Sequence, residues 1–116
     1  MMRRGEIRVV NLGSVVGVEA ARIRPAVIVS NDGANTTAAR LGRGVVTVVP
    51  ITSNTKRVYP FQVLLDAAES GLDRHSKAQA EQVRSVAVER VGELIGYMSP
   101  DLMARLEGAL RLHLAI

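Results

Sequence analysis

GVVTVVPI, residues 44–51, is the stretch on which the fold turns. Seven of its eight residues are apolar, Gly or Pro, and valine dominates. β-Branched side chains lose rotamer freedom in a helix and pack well on a pleated surface, so the run predicts a buried strand. Working outward, PAVIVS (25–30) and FQVLL (61–65) carry the same signature. EIRVV (6–10) and QAEQVRSV (79–86) bring the number of expected short strands to five. GSVVGVEAAR (13–22), NDGANTTAARLGR (31–43), TSNTKRVYP (52–60) and SGLDRHS (70–76) read as loops or turn-rich connectors between them. The end of the chain is different. In SPDLMARLEGALRLHLAI, Ser99 suits an N-cap, Pro100 the first helical position and Asp101 the positive end of the helix dipole. Leu102, Met103, Leu106, Leu110 and Leu114 then recur at helical spacing. A shorter helix is expected over VERVGELI (88–95), weakened by Gly92. The expectation is an α+β chain, mainly β with a C-terminal helix: a small, strongly bent antiparallel sheet or barrel capped on one side.

Composition sets the bounds. A length of 116 residues fits one domain, residues 1–116, and 47% hydrophobic content supplies one core. The absence of cysteine excludes disulfides, thiolate metal sites and cysteine nucleophiles. His75 and His113 cannot hold zinc without carboxylates, so no metal and no cofactor are expected. No apolar run approaches the roughly 20 residues of a membrane span. Glu6 stands where a signal peptide would begin its apolar region. A soluble, cytoplasmic chain with no membrane partner is the expectation.

Charge is uneven. Residues 1–60 hold nine basic and three acidic side chains, a net of +6; residues 61–116 hold six basic and eight acidic, a net of −2. Thirteen of the fifteen cations are arginine, whose planar fork matches phosphate oxygens in a way lysine cannot. Composition therefore admits a phosphate-rich partner, alongside the plainer reading of a solvated basic surface. Arg24 is the residue that most needs explaining. It sits at the mouth of the second expected strand, followed by Pro25, with Arg22 two residues before it.

Four blocks now line up: RRGEIRVVNLG (3–13), GVEAARIRPAVIVSND (17–32), VVTVVPITSN (45–54) and AEQVRSVAVERVGELIG (80–96). In this order and at these spacings the chain resembles the MazF/PemK family of toxin endoribonucleases, over nearly its whole length. Where that family usually carries an aspartate, this chain has Glu6, and it has Gly17-Val18-Glu19-Ala20 in place of a more polar loop. The resemblance implies an SH3-like barrel of the CcdB/MazF type, a homodimer, and metal-independent cleavage of single-stranded RNA rather than DNA. It also implies a MazE-like antitoxin whose disordered tail covers the RNA groove.

The residues can be weighed against that chemistry. RNA brings its own nucleophile, the ribose 2′-OH. Cleavage then needs a base for that hydroxyl, an acid for the leaving 5′-oxygen, and donors for the phosphorane. Arg24 matches the family's catalytic arginine. The ring of Pro25 fixes its own φ near −65°, giving the Arg24 side chain a rigid root, and electrostatic catalysis depends on such preorganisation. Too basic to be a good general base, it is assigned phosphorane stabilisation, with proton donation to the leaving oxygen left open. Thr52 matches the second catalytic position and offers a hydroxyl donor. Glu19, on the loop near Arg22 and Arg24, is the candidate base. Ser53 and Asn54 are placed against phosphate or sugar, Arg22 against RNA, and Gln82, on the expected fifth strand, against a base edge. His75 has the right chemistry for proton transfer, but the motif puts no catalytic histidine there. With only Tyr59, Phe61 and Tyr97 as aromatics, binding must lean on arginine and hydrogen bonds rather than base stacking. Two other functions compete. A gyrase-inhibiting toxin of the CcdB type depends on a tryptophan near the C-terminus, and this chain has none. A non-catalytic nucleic-acid-binding barrel accounts for the basic half but not for the Arg-Pro and Ile-Thr-Ser pairing.

Overall fold

The valine-rich run becomes β3 (Val45–Thr52), and every other feature of the architecture is placed by its partners. The computed structural model describes residues 2–14, 16–19 and 22–116. Along one side β3 pairs with β2 (Ile23–Ile28), which pairs in turn with β1 (Glu6–Asn11). Along its other side it meets β6 (Arg84–Ala87) through residues 45–48 and β5 (Ser76–Gln79) through Ile51 and Thr52. β4 (Gln62–Leu65) extends the sheet beyond β5, and β7 (Val91–Tyr97) lies antiparallel to β1. The strand order is β4-β5-β3-β2-β1-β7, with β6 also on β3. Pro50 has no N–H to give and falls between the last pair with β6 and the first with β5, where the ladder changes partner.

The sheet is covered on both faces, which is why β3 reads as a continuous apolar run rather than an alternating one. Val46 and Val48 join Val10, Ala26 and Ile28 in one core. Val49 and Ile51 join Ile7, Val27 and Leu65 in the other, beneath Leu102, Leu106 and Ala109 of the C-terminal helix. That helix, α3 (Pro100–Leu114), begins as its sequence signals require: Ser99 Oγ accepts from the Leu102 N–H at 3.1 Å, with Pro100 in the first turn. Deleting the fully buried Leu106 side chain would cost about 2–5 kcal/mol.

Three expectations are corrected. Residues 31–43 are not a loop but contain α1 (Asp32–Leu41), capped by Asn31, whose Oδ1 accepts from Ala34 N at 2.8 Å, and closed by Gly42 at φ 65°. QAEQVRSV is not one strand. A 3₁₀ turn over Ala80–Gln82 separates β5 from β6, because the two pair with different stretches of β3 and the chain must step along it. VERVGELI is not a helix: a single 3₁₀ turn, Val88–Arg90, leads directly into β7. Gly96 shows what β7 is fitted to. A Cβ there would sit inside the Ser70 carbonyl at the end of α2 (Ala67–Ser70), so only glycine lets the two backbones cross.

Candidate active site

Arg24 and Thr52 are brought together by strand register alone. β2 and β3 pair as Ala26 with Pro50 and Val27 with Val49; the same register continued two residues places Arg24 opposite Thr52. Opposed residues of an antiparallel pair project to the same side of the sheet. Both line an open cavity of about 350 Å³, together with Pro25, Ile51, Ser53, Leu72, Asp73, Arg74 and Ser76. Arg24 is half-buried at its rim. The Thr52 hydroxyl accepts from the Asn54 N–H at 3.2 Å, which turns the chain away from the strand and leaves the hydroxyl proton to donate. Asn54 Oδ1 in turn accepts from Lys56 N at 3.2 Å. Ser53 thus lies in the cavity, and Asn54 shapes the turn beside it.

Glu19 and Gln82 stand apart from that cavity. They line a second hollow of about 390 Å³ with Glu81, Val83 and Arg84. Glu19 Oε1 accepts from the Val16 N–H at 2.9 Å within its own loop. Gln82, on the 3₁₀ turn rather than a strand, donates from Nε2 to the Val18 carbonyl at 3.0 Å and so ties that loop to the sheet. Ala20 and Ala21, the middle of the Glu19–Arg22 stretch, lie outside the described residues. Arg22 holds φ 66° and exchanges backbone hydrogen bonds with Leu12 and Gly13, extending the β1–β2 ladder by an irregular step. A non-glycine residue in that region is strained, and such strain clusters at functional sites.

Sequence reasoning missed Asp73 and Arg74. They belong to the connector before β5, where polar residues give no directional signal. Arg74 and Ser76 line the cavity with Leu72 and Asp73, while His75 faces another hollow with Leu64, Asp66, Glu69, Asp101 and Arg105. Its Nδ1 accepts from the Ala67 N–H at 3.3 Å. His113 lies in α3, with its ring 6.5 Å from that of Phe61. Among the described residues no group of three or more His, Asp or Glu side chains is arranged to hold a metal ion. No helix among them is long and apolar enough to cross a membrane.

Several arginines serve the fold. Arg8 Nε reaches the buried Glu6 at 2.8 Å, and Glu6 also accepts from Arg3 N. Glu6 is thus a structural anchor. Arg84 and Arg90 donate to the carbonyls of Leu12 and Asn11, and Arg4 pairs with Glu107 at 2.9 Å. Part of the basic surplus of the sequence therefore serves the fold.

A bent antiparallel sheet with one helix across its face and an Arg–Thr pair at one strand mouth defines the class: an SH3-like barrel of the CcdB/MazF kind. The chain belongs to the family described as PemK-like, MazF-like toxins of type II toxin–antitoxin systems, whose model matches residues 3–114. It is 60% identical over 114 residues to the endoribonuclease MazF9 of Mycobacterium tuberculosis, covering 98% of this chain and 97% of the relative. It is 27% identical to the endoribonuclease EndoA of Bacillus subtilis over the whole chain and 97% of that protein. Among solved structures, MazF from Deinococcus radiodurans superposes with a TM-score of 0.80 at 25% identity, covering 99% of this chain and 97% of that one. A mycobacterial endoribonuclease in complex with its cognate antitoxin gives 0.77 at 22% identity over 100% of this chain and 97% of that one.

Proposed function

We propose that this protein is the endoribonuclease toxin of a toxin–antitoxin pair: it cuts single-stranded RNA at a specific sequence, without a metal, and so arrests translation and growth. The observation that carries the proposal is the placement of Arg24 and Thr52 on opposed strands of one cavity. The family of the chain and the names of its relatives support the same reading.

The mechanism follows from those groups. The 2′-oxygen attacks the adjacent phosphorus, the bond from phosphorus to the 5′-oxygen breaks, and the products are a 2′,3′-cyclic phosphate and a 5′-OH. The guanidinium of Arg24 and the hydroxyl of Thr52 donate to the non-bridging oxygens, whose charge grows in the phosphorane. Donors already in place need no reorganisation at that moment. The 2′-OH proton goes to a carboxylate. Asp73 lines the cavity and Glu19 the neighbouring hollow, so Asp73 is the better placed of the two. The leaving 5′-oxygen takes a proton from Arg24 or from water. Ser53, Asn54 and Arg22 bind sugar and phosphate beside this centre, and Gln82 reads a base edge.

The proposal extends to the assembly and its control. Residues 1–116 act as one domain, in the cytoplasm, where the RNA is. Two copies form a two-fold dimer that sets their basic halves side by side. A MazE-like partner with an acidic, disordered segment silences the dimer by folding over the groove. Incubating the purified protein with a mixed RNA pool in excess EDTA tests the chemistry. Cleavage with 5′-OH ends is expected. Loss of activity in EDTA, or 5′-phosphate ends, overturns the mechanism, and binding without cleavage leaves a non-catalytic barrel.

A further inference from the structure

One cation outside the catalytic cavity is held at both its side chain and its backbone. Arg57 is exposed on the connector between β3 and β4, yet neither end of it is loose. Its Nη1 donates to the Tyr59 hydroxyl at 3.3 Å. Its carbonyl accepts from the ammonium of Lys77, a lysine only 7% exposed. Tyr59 is itself fixed: its ring stacks on Phe61 with centroids 5.4 Å apart and planes 1° from parallel, and its N–H donates to the buried Gln62 at 3.1 Å. The Lys77 ammonium lies 6.0 Å from the Tyr59 ring centroid. Burying a lysine is unfavourable unless its charge is used. Among the described residues no carboxylate pairs with Lys77 or with Arg57 at salt-bridge distance.

Register says where this arrangement sits. Lys77 is the β5 partner of Thr52, so the two side chains leave the sheet on the same side. Thr52 lines the catalytic cavity, and Lys77 holds the Arg57 backbone. Arg57 therefore lies one lysine side chain away from the strand position opposite Thr52. An exposed arginine normally loses much rotamer freedom when it binds. Here the loop and the Tyr59 hydroxyl have ordered it in advance, and no neighbouring carboxylate neutralises it. A fixed, uncompensated guanidinium is a receptor for a phosphate, which its fork engages through two parallel hydrogen bonds.

We propose that Arg57 binds a non-scissile phosphate of the RNA flanking the cut, and that Tyr59 and Lys77 are its positioning residues. This rests on the ribonuclease reading above and adds to it the direction in which the bound strand leaves the cavity.

The test uses the full-length protein and a random-sequence, single-stranded RNA carrying 2′-O-methyl groups throughout, so that it binds without being cut. Anisotropy is recorded over a salt series. Each phosphate neutralised on a single strand contributes about 0.7 to the slope of log affinity against log salt. Arg57→Gln is expected to lower that slope by about 0.7 and to weaken binding roughly tenfold, the size of one charge-assisted hydrogen bond. On cleavable RNA its KM rises by a similar factor, while the single-turnover rate at saturating protein stays close to wild type. Arg57→Lys restores the slope but only part of the affinity. Tyr59→Phe keeps the ring stack and the charge, so it leaves the slope alone and weakens binding less than Arg57→Gln. A slope and an affinity for Arg57→Gln equal to wild type overturn the inference, with wild-type cleavage intact and the ribonuclease reading untouched. A wild-type protein that neither binds nor cuts RNA overturns both.

Discussion

The Arg24–Thr52 cavity and the Glu19–Gln82 hollow are built from different materials. The Arg24–Thr52 cavity is framed by register partners: its two principal residues face each other because β2 and β3 pair through buried valines behind them. The Glu19–Gln82 hollow is framed by a loop and a 3₁₀ turn, with Gln82 bonded to the Val18 carbonyl. Moving Arg24 relative to Thr52 would mean slipping a strand, which would turn every buried side chain of β2 to the wrong face. Moving Glu19 relative to Gln82 needs only loop torsions. The difference teaches where each task belongs. Charge stabilisation requires fixed donors and suits the ladder. On the proposed reading, recognition of an RNA sequence suits the loop, whose torsions can adapt.

The sharpest way to break that contrast is at the ladder. Arg24→Ala is expected to slow single-turnover cleavage by about 10²–10³-fold, or roughly 3–4 kcal/mol, as for oxyanion donors elsewhere. RNA affinity should fall far less, because other arginines contact the backbone. Arg24→Lys should rescue poorly, since a point charge does not reproduce the fork. Thr52→Val should also lower turnover, by about tenfold or more if one donated hydrogen bond to a charged group is lost. Thr52→Ser, which keeps the hydroxyl, should retain much of it. Equal activity of Thr52→Val and wild type would reduce Thr52 to the cap of the Asn54 turn.

The carboxylates test the contrast from the other side. Asp73 lines the ladder cavity, and Glu19 uses one oxygen on the Val16 N–H. A general base contributes typically about 10²–10⁴-fold. Asp73→Asn should therefore lose more single-turnover rate than Glu19→Gln. The reverse order would mean that the 13–22 loop closes over the cavity when RNA binds, and the division between fixed ladder and movable loop would fail. Gln82→Ala should change which RNA sequences are cut more than how fast the best one is cut, as read from a cleavage map on a mixed pool.

The same division marks what the sequence let one read. The valine-rich strands declared themselves because β-branched runs have little other use, and α3 did so through Ser99, Pro100 and a leucine period. α1 went unread because its buried face is only Asn35 and Ala38, which make no apolar stripe, although its caps at Asn31 and Gly42 were in view. The break between β5 and β6 depends on which stretch of β3 each pairs with, and no local pattern encodes that. β7 was misread because its apolar residues fit either period over so short a span. Pairing with β1 and the close crossing of Gly96 with Ser70 decide it. Within the site, Arg24 and Thr52 were legible as residues at strand mouths. Asp73, Arg74 and the Arg57–Tyr59 contact lie in connectors, where function depends on what the chain folds back against.

The smallest expected effect belongs to His75, the residue whose chemistry most invites a ribonuclease role. Its side chain is 70% exposed and lies 4.0 Å from Asp66, in a hollow bounded by α2 and α3. Arg74 and Ser76, on either side of it, line the Arg24–Thr52 cavity, whereas His75 lines the other hollow. Its Nδ1 accepts a hydrogen bond from the Ala67 N–H at the start of α2. His75→Ala should therefore leave single-turnover cleavage within about twofold of wild type and change stability by no more than about 0.5 kcal/mol, the usual range for an exposed substitution. The comparison with Arg24→Ala is the decisive one, because both variants remove a polar group without touching either core. If His75→Ala proves inactive while Arg24→Ala still cuts, the reacting phosphate sits in the α2–α3 hollow. The strand-mouth pair would then be a structural coincidence, and the proton transfers would pass through an imidazole.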